Sequence, residues 1–211
     1  YLSLCKQCEQ DLPWMQYSCS RCANALEEPA LLCGQCLTHA PLYHHSIALW
    51  YYQSPLDKLI LNFKFHHQLS AGKLLSHLML KRIQQRYWRK NLPDKIIPVP
   101  LHASRLRQRG YNQALELARP LAKQLKVSLD FNSCRRVRAT PEQAKLPAKE
   151  RSQNIRDAFS VASQFSAKHV AIVDDVMTTG STVNELSRVL LGAGVERVDV
   201  WCCAKSSYRA F

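Results

Sequence analysis

Long apolar runs, glycine and acidic residues are all scarce in this sequence, and each shortage argues against a class of protein. Among its 211 residues, no apolar run approaches the roughly 18 residues of a membrane-spanning helix, and no secretory signal peptide is visible. Glycine occurs only 6 times. Neither the G-x-G-x-x-G dinucleotide fingerprint nor the G-x-x-x-x-G-K-[ST] phosphate loop is present, so the signatures of dinucleotide-binding and P-loop proteins are missing.

The charge balance favours an anionic partner. Lysine and arginine number 29 against 16 acidic residues, which gives a formal net charge of +13. Nucleic acid, phosphates or anionic lipid would suit such a chain, although a solvated basic surface carries the same charge. Hydrophobic residues make up 46%, enough for the packed core of one α/β domain with a small appendage.

Cysteine is concentrated at the N-terminal end. Six of the nine cysteines precede residue 37, in three C-x-x-C pairs. Two pairs, Cys19/Cys22 and Cys33/Cys36, have the spacing of a zinc ribbon, in which four thiolates close a tetrahedral structural site. Thiolate ligation of this kind is typical of a reducing compartment, which favours a cytoplasmic location. The remaining pair, Cys5/Cys8, then has no second pair with which to bind a metal ion. Alternatively, Cys5/Cys8 forms the site with one of the other two pairs, and the third pair is left free.

Hydrophobic periodicity beyond residue 45 predicts alternating strands and helices. The strand-like runs cover residues 46–52, 96–100, 169–173 and 195–204, and the helical patterns begin after Pro55 or cover residues 71–89 and 113–126. A further helix is predicted to start near Thr182, because Thr182-x-x-Glu185 matches a capping box. Residues 101–112 are interpreted as a basic loop. Residues 130–157, rich in charge and poor in apolar positions, are interpreted as a mobile functional loop or, alternatively, as a disordered stretch without function. This alternation predicts a parallel sheet.

The far end of the predicted helix 71–89 mixes basic and aromatic residues. Such a mixture suits single-stranded nucleic acid, because bases stack on aromatic rings while cations follow the backbone. Cations at a helix C-terminus are equally favoured by the helix dipole. The residues are Lys81, Arg82, Arg86, Tyr87, Trp88, Arg89 and Lys90.

The most informative stretch is "VAIVDDVMTTGST", residues 170–182. A buried strand followed by a Thr/Gly/Ser loop and a helix start is a cradle for one phosphate, because backbone N–H groups and the helix dipole favour an anion there. Asp174 and Asp175 stand beside this cradle, and carboxylates accept hydrogen bonds from vicinal hydroxyls or hold Mg²⁺ through water. A phosphate site beside a diol site describes a phosphorylated ribose.

This stretch resembles the ribose-phosphate signature of type I phosphoribosyltransferases, which bind 5-phosphoribosyl 1-diphosphate (PRPP) with Mg²⁺. Residues 96–118, residues 136–159 and the C-x-x-C pairs narrow the resemblance to the ComF family, associated with DNA uptake in natural transformation. It covers nearly the whole chain. It implies a zinc-ribbon module at residues 1–42 and, at residues 43–211, a type I phosphoribosyltransferase-like domain with flanking helices. It also implies a second zinc site to which Cys5 and Cys8 belong, with the other ligands upstream of Tyr1.

The resemblance also implies residue roles. Asp174 and Asp175 would meet the ribose hydroxyls, and with Arg109 they are the candidate catalytic residues. The diphosphate would lie against the loop at Leu101 and His102. The 5′-phosphate would be held by Thr178, Thr179, Gly180, Ser181 and Thr182, and the cations nearest the diphosphate would be Arg105, Arg109 and Arg151.

Three functions remain open at this stage. The chain could transfer phosphoribosyl from PRPP to an unknown acceptor, or it could bind PRPP and single-stranded DNA without turnover, alongside DNA-uptake proteins such as a helicase. A nucleobase-salvage enzyme is the third possibility, although salvage needs neither a zinc ribbon nor a basic surface. Gln143 and Asn154 match the family pattern without a chemical role that the sequence assigns.

Overall fold

The computed structural model describes residues 4–87, 91–140 and 154–206. Within these ranges, no helix combines the length and the hydrophobicity that crossing a membrane requires. The helices are α1 (Lys6–Gln10), α2 (Gly34–Thr38), α3 (Leu56–Phe65), α4 (Leu69–Arg86), α5 (Ala103–Arg109), α6 (Gln113–Leu125) and α7 (Ser181–Gly192). The strands are β1 (His45–Tyr51), β2 (Lys95–Pro98), β3 (Ser128–Leu129), β4 (Cys134–Arg136), β5 (Phe159–Val161), β6 (His169–Met177) and β7 (Arg197–Lys205).

Five strands form one parallel sheet in the order β1-β7-β6-β2-β3. The central strands β6 and β7 are apolar on both faces, as strands covered by helices on both sides must be. Strands β4 and β5 form a separate antiparallel pair. The predicted α/β class, with a parallel sheet and flanking helices, is confirmed.

Alternate residues of the central strands enter two different cores. Ala171 and Val173 of β6 pack with α3, α4 and α6, whereas Val170 and Ile172 pack with α7 and β5. The cause is the two-residue period of an extended chain, which sends successive side chains to opposite faces. The same alternation continues toward the C-terminal end of β6, where the acidic pair lies.

The N-terminal segment covers the outer edge of the sheet. The Met15 N–H donates to the Leu49 carbonyl at 2.9 Å, and the Tyr51 N–H donates to the Pro13 carbonyl at 2.9 Å. The Trp14 ring packs on Trp50, with ring centroids 5.1 Å apart. Pairing along β1 satisfies backbone groups that an open edge would expose. The domain boundary between residues 42 and 43 stays a prediction.

The basic loop predicted for residues 101–112 is wrong in its central part, because Ala103–Arg109 forms helix α5. The His102 Nδ1 accepts from the Ser104 N–H and caps this helix, and Gly110 ends it in the left-handed conformation, with φ +76°. A helix changes which arginines share a face. Arg105 and Arg109 are four residues apart and lie on one side, while Arg107 points elsewhere.

Helix α4 is shifted from its predicted range of 71–89 to Leu69–Arg86. Tyr87, which follows it, is buried, and its hydroxyl donates to Asp199 at 2.5 Å. A buried ring cannot stack on bases, so Tyr87 does not belong to a nucleic-acid surface. Trp88, Arg89 and Lys90 lie outside the described residues. Lys81 and Arg82 are exposed and keep the basic part of that interpretation open.

Candidate functional site

An open cleft of about 1750 Å³ lies at the C-terminal edge of the sheet. This is the edge at which α/β proteins bind ligands, because the loops that follow parallel strands converge there. Its walls also include residues of the N-terminal module, among them Tyr17, Asn24 and Gln35. The sequence-predicted residues that line it are Leu101, Arg105, Arg109, Asp174, Asp175, Thr178, Thr179, Gly180, Ser181 and Thr182.

The phosphate cradle is built from the end of β6 and the first turn of α7. Gly180 occupies the N-cap position with φ +81°, and α7 begins at Ser181. The Thr179 and Ser181 hydroxyl oxygens are 2.8 Å apart, and the Ser181 N–H donates to Thr179 Oγ1 at 3.3 Å. The first N–H groups of a helix have no intrahelical acceptor, so this turn presents donors and the positive end of the helix dipole to the cleft.

The capping box predicted at Thr182 is wrong. The Glu185 carboxylate does not return to the helix start but accepts from the Asp157 N–H at 2.8 Å and pairs with Arg188 at 2.7 Å. Gly180, which has no side chain, caps the helix instead. The Glu185 side chain therefore does not occupy the N–H groups at the start of α7.

Replacing Gly180 by alanine is expected to weaken phosphate binding about 10-fold, since a non-glycine residue at positive φ costs about 1–2 kcal/mol. An added Cβ would also stand 3.0 Å from the Tyr43 hydroxyl. The matched control is Gly192→Ala, because that glycine ends the same helix and a Cβ there meets nothing within 4 Å. Calorimetric titration with ribose 5-phosphate measures the effect, and equal affinity in both variants would contradict the assignment of the cradle.

The two side chains of the acidic pair lie on opposite faces of the sheet. Asp175 continues the row of Ala171 and Val173 and pairs with Lys64 of α3, with Nζ 2.9 Å from Oδ2. Asp174 continues the opposite row and lies near the guanidinium of Arg136 on β4. Both carboxylates border the same cleft as the cradle. The two acids therefore meet different protein partners although they are neighbours in the sequence.

Burial, followed by the charge of Asp175, raises the pKa of Asp174 to about 7. Lys64 and Arg136 act in the opposite direction but do not overcome these two effects. A carboxyl group with this pKa is about half ionised at neutral pH. Its capacity to accept hydrogen bonds from a diol or to hold a cation therefore changes within the physiological pH range.

Binding of Mg²⁺–PRPP is accordingly expected to be about 10-fold weaker at about pH 6 than at about pH 8, because protonated Asp174 loses its charge below its raised pKa. Asp174→Asn removes the titrating group and should flatten this part of the profile. Titration of inorganic phosphate over the same range corrects for the ligand's own ionisation. A wild-type profile that matches the Asp174→Asn profile would rule out this role.

Three cations of the cleft were missed by the sequence analysis. Lys64 pairs with Asp175, Arg136 lies beside Asp174, and Lys205 at the end of β7 is buried and donates from Nζ to the Thr178 carbonyl. Each belongs to a different element, and of the three only Arg136 falls in a stretch quoted for the family resemblance, residues 136–159, where it was given no role. Lys205 could have been predicted from its position, because it lies at the C-terminal end of a buried strand, where α/β proteins bind ligands.

Of the residues predicted to bind the diphosphate, some line the cleft, one caps a helix and one lies outside the described residues. Leu101 borders the cleft, whereas His102 caps α5. Arg105 donates to the Thr140 carbonyl at 2.9 Å, and Arg109 donates to the Gln113 side chain at 3.0 Å. Arg151 and Gln143 lie outside the described residues, while the Asn154 carbonyl accepts from Arg138.

The zinc-ribbon cysteines come together as predicted. The Sγ atoms of Cys19, Cys22, Cys33 and Cys36 all lie within 4.8 Å of one another, and those of Cys22 and Cys33 are 3.6 Å apart. Four thiolates about 2.3 Å from one Zn²⁺ need separations of this size. Burial raises the pKa of Cys19, but N–H groups of Cys22, Cys33 and Arg21 outweigh it and bring the pKa to about 7. This donor set fits zinc.

Cys5 and Cys8 do not join this cluster. Both are exposed, and the Cys5 sulfur caps α1 by accepting from the Cys8 N–H at 3.4 Å. The alternative in which this pair replaces another zinc-ribbon pair is therefore wrong. Their assignment to a second zinc site stays a prediction.

The segment that follows the four-cysteine cluster packs against the predicted phosphate cradle. The Leu42 N–H donates to the Asn184 side chain of α7 at 2.8 Å. The buried Tyr43 hydroxyl lies 3.8 Å from the Met177 sulfur, directly before the cradle. The segment that follows Cys36 thus packs against both the strand and the helix that form the predicted phosphate cradle.

Comparisons with known proteins agree with this architecture. The profile of the phosphoribosyl transferase domain family matches residues 111–209. The chain is 38% identical over 208 residues to Competence protein F of Haemophilus influenzae, covering 96% of this chain and 90% of that protein. It is 35% identical over 205 residues to the DNA utilization protein YhgH of Salmonella typhimurium and 34% identical to that of Escherichia coli K12, each covering 96% of this chain and 90% of the relative.

Proposed function

We propose, from the premise that this chain belongs to the ComF family of phosphoribosyltransferase-like proteins, that its cleft binds PRPP together with Mg²⁺. The 5′-phosphate would lie in the cradle at Thr178–Thr182, and the ribose hydroxyls would meet the acidic pair. Asp174 and Asp175 would hold Mg²⁺ directly or through water, and the ion would offset charge on the diphosphate. The chain's own residues bind, orient and neutralise the ligand.

One observation carries this proposal. The phosphate cradle and the two carboxylates border a single open cleft at the C-terminal edge of a parallel sheet. A cradle alone would suit any phosphate, and an acidic pair alone is often a solvated turn. Their combination suits a ligand that carries a phosphate near a diol, and a phosphorylated ribose has this chemistry.

The size of the cleft favours transfer of the phosphoribosyl group to an acceptor, because the cleft has room for a second ligand. Ligand pockets commonly measure about 300–1000 Å³, and the cleft of about 1750 Å³ exceeds this. Its further wall comes from the zinc module, through Tyr17, Asn24 and Gln35. An acceptor bound there would lie next to the sugar. Diphosphate would be the leaving group, stabilised by positioning and by the surrounding cations.

The biological setting proposed is DNA uptake during natural transformation, in the cytoplasm. The names of the relatives, Competence protein F and DNA utilization protein, support this setting. The net charge of +13 and the exposed Lys81 and Arg82 favour single-stranded DNA as a partner. The alternative function is a PRPP- and DNA-binding module without turnover, working with DNA-uptake proteins such as a helicase.

Two measurements test these functions. Calorimetric titration of the zinc-loaded protein with PRPP and Mg²⁺ should give saturable binding, and lack of binding would overturn the PRPP proposal. Diphosphate release is then followed with candidate acceptors, including nucleobases and single-stranded oligonucleotides. Release that depends on one acceptor establishes a transferase. Salt-sensitive binding of oligonucleotides with no release across the panel favours the binding module.

A further inference from the structure

Lys205 is a buried cation at the edge of the sheet where the predicted cradle and the N-terminal module meet. It is the last residue of β7 and is only 4% exposed. In the register of the sheet it stands beside Met177 of β6 on one side and Tyr51 of β1 on the other. Its side chain borders the cleft. A charged group in such a position needs neighbours that compensate the loss of its hydration.

Toward β6, Lys205 holds the start of the cradle. Its Nζ donates to the carbonyl of Thr178, the first residue of the cradle. The Ser206 N–H donates to the preceding carbonyl, that of Met177, at 3.0 Å. The Thr178 carbonyl and the Thr179 N–H belong to one planar peptide group, so a contact that fixes the carbonyl also fixes the direction of that N–H. The lysine therefore orients a backbone donor of the cradle.

Toward β1, the charge that opposes Lys205 comes from thiols. In the part of the chain that the structure describes, Lys205 forms no ion pair with a carboxylate. Burial lowers the pKa of Lys205, and the charges that act against this fall are those of Cys22, Cys202, Cys33 and Cys36. Three of these thiols belong to the four-cysteine cluster. Because zinc binds thiolates, a cluster loaded with Zn²⁺ carries a net charge of about −2.

Backbone contacts fix the position of the four-cysteine cluster relative to Lys205. The Ser46 N–H of β1 donates to the Ser20 carbonyl at 3.0 Å, and the Ser46 hydroxyl donates to the Arg21 carbonyl at 2.8 Å. Strand β1 in turn pairs with β7, which carries the lysine. Gln35 lies between two cysteines of the cluster and borders the same cleft as Lys205. The cluster is thus held beside the strand that ends in the lysine.

We propose that Lys205 is a positioning residue that couples zinc binding by the four-cysteine cluster to phosphate binding in the cradle. This inference rests on the proposed function, in which the cradle receives the 5′-phosphate. The zinc-loaded cluster holds the lysine, the lysine holds the Thr178 carbonyl, and the Thr179 N–H is thereby presented to the phosphate. Because coupling between two binding sites is reciprocal, a bound phosphate also strengthens the binding of zinc.

The test compares Lys205→Met with Lys168→Met. Methionine keeps most of the length of the side chain but has neither its charge nor its donors. Lys168 immediately precedes β6, at the opposite edge of the sheet, and its side chain is 82% exposed. Zinc affinity is measured by competition with a chromophoric chelator, with and without saturating ribose 5-phosphate. In the wild type, ribose 5-phosphate should raise the zinc affinity about 5-fold or more.

Lys205→Met should lower the zinc affinity about 10-fold without any ligand, because the cluster loses a buried partner outside its ligand shell. It should also remove the increase that ribose 5-phosphate causes, and weaken ribose 5-phosphate binding about 10-fold. Lys168→Met should stay within about 2-fold of the wild type in every measurement, because an exposed charge at a distance is screened. Lys205→Arg restores the cation and should recover most of both affinities.

The possible failures can be told apart. Unchanged zinc affinity in Lys205→Met overturns the inference whether or not the wild type binds ribose 5-phosphate. Ribose 5-phosphate that binds the wild type without raising its zinc affinity overturns the coupling and leaves the proposed function standing. A wild type that does not bind ribose 5-phosphate contradicts the proposed function and the coupling together. If Lys205→Met does not fold, Lys205→Gln replaces it, and should show the same loss of zinc affinity.

Discussion

The double variant Asp174→Asn/Asp175→Asn is expected to bind Mg²⁺–PRPP at least about 100-fold more weakly than the wild type. Hydrogen bonds to charged groups contribute about 1.5–3 kcal/mol each, so the loss of two carboxylates amounts to about 3–6 kcal/mol. Asparagine keeps the shape of each side chain but carries no charge. The effect should therefore come from lost acceptor capacity and cation binding.

The two single variants should differ in stability. Asp175→Asn leaves Lys64 without its partner at 2.9 Å, in a pair whose side chains are only 23% and 8% exposed. We expect a loss of about 2 kcal/mol in the free energy of unfolding, because an unpaired cation then remains largely enclosed. Asp174→Asn removes a group whose charged form is disfavoured by burial, and it should leave the free energy of unfolding at neutral pH unchanged or higher.

Calorimetry with PRPP and urea titration measure these effects, and Asp57→Asn is the control. Asp57 belongs to the first turn of α3, the same helix that carries Lys64, but it does not line the cleft. Full PRPP affinity in the double variant would show that the sugar lies elsewhere. Loss of affinity in the Asp57 variant would mean that acidic charge in general, and not this pair, governs binding.

Loss of the zinc ion that the four-cysteine cluster is predicted to hold should lower both the stability of the protein and its affinity for anions. Cys36→Ser takes away one buried ligand of the four-thiolate cluster. Structural zinc sites contribute about 10–16 kcal/mol of binding free energy that is also folding free energy. Without it, the segment that carries Leu42 and Tyr43 should lose its fixed position beside α7 and Met177. We expect a fall in Tm and weaker binding of ribose 5-phosphate.

Cys8→Ser is the matched control, because that thiol is exposed and lies outside the cluster. This variant should retain zinc in the ribbon and the wild-type Tm. Metal content is measured by mass spectrometry, and Tm by calorimetry. If Cys36→Ser loses zinc yet binds ribose 5-phosphate with unchanged affinity, the module does not support the cradle. If Cys8→Ser also lowers Tm, the exposed pair has a structural role of its own.

The sequence predicted those parts of the site whose chemically important residues are neighbours in the sequence. Residues 170–182 run from a buried strand through a glycine turn into a helix, and short-range physics determines all three. The clustering of the C-x-x-C pairs could also be predicted, because a tetrahedral metal site requires a characteristic spacing of cysteines in the sequence. The capping box failed because the Glu185 carboxylate accepts from the N–H of Asp157, which is distant in the sequence, and pairs with Arg188 one turn further along α7.

Residues far apart in the sequence became neighbours only through the fold. Lys64 comes from α3, Arg136 from a short strand in a stretch interpreted as loop, and Lys205 from the end of β7. No spacing rule connects them, since their proximity depends on strand order and on helices packing against both faces of the sheet. The sequence alone determined the strand, turn and helix of residues 170–182, the acidic pair at the end of that strand and the cluster of four cysteines. The tertiary structure decided which cations surround them and that the ribbon forms a wall of the same cleft, because long-range packing, not local pattern, sets those distances.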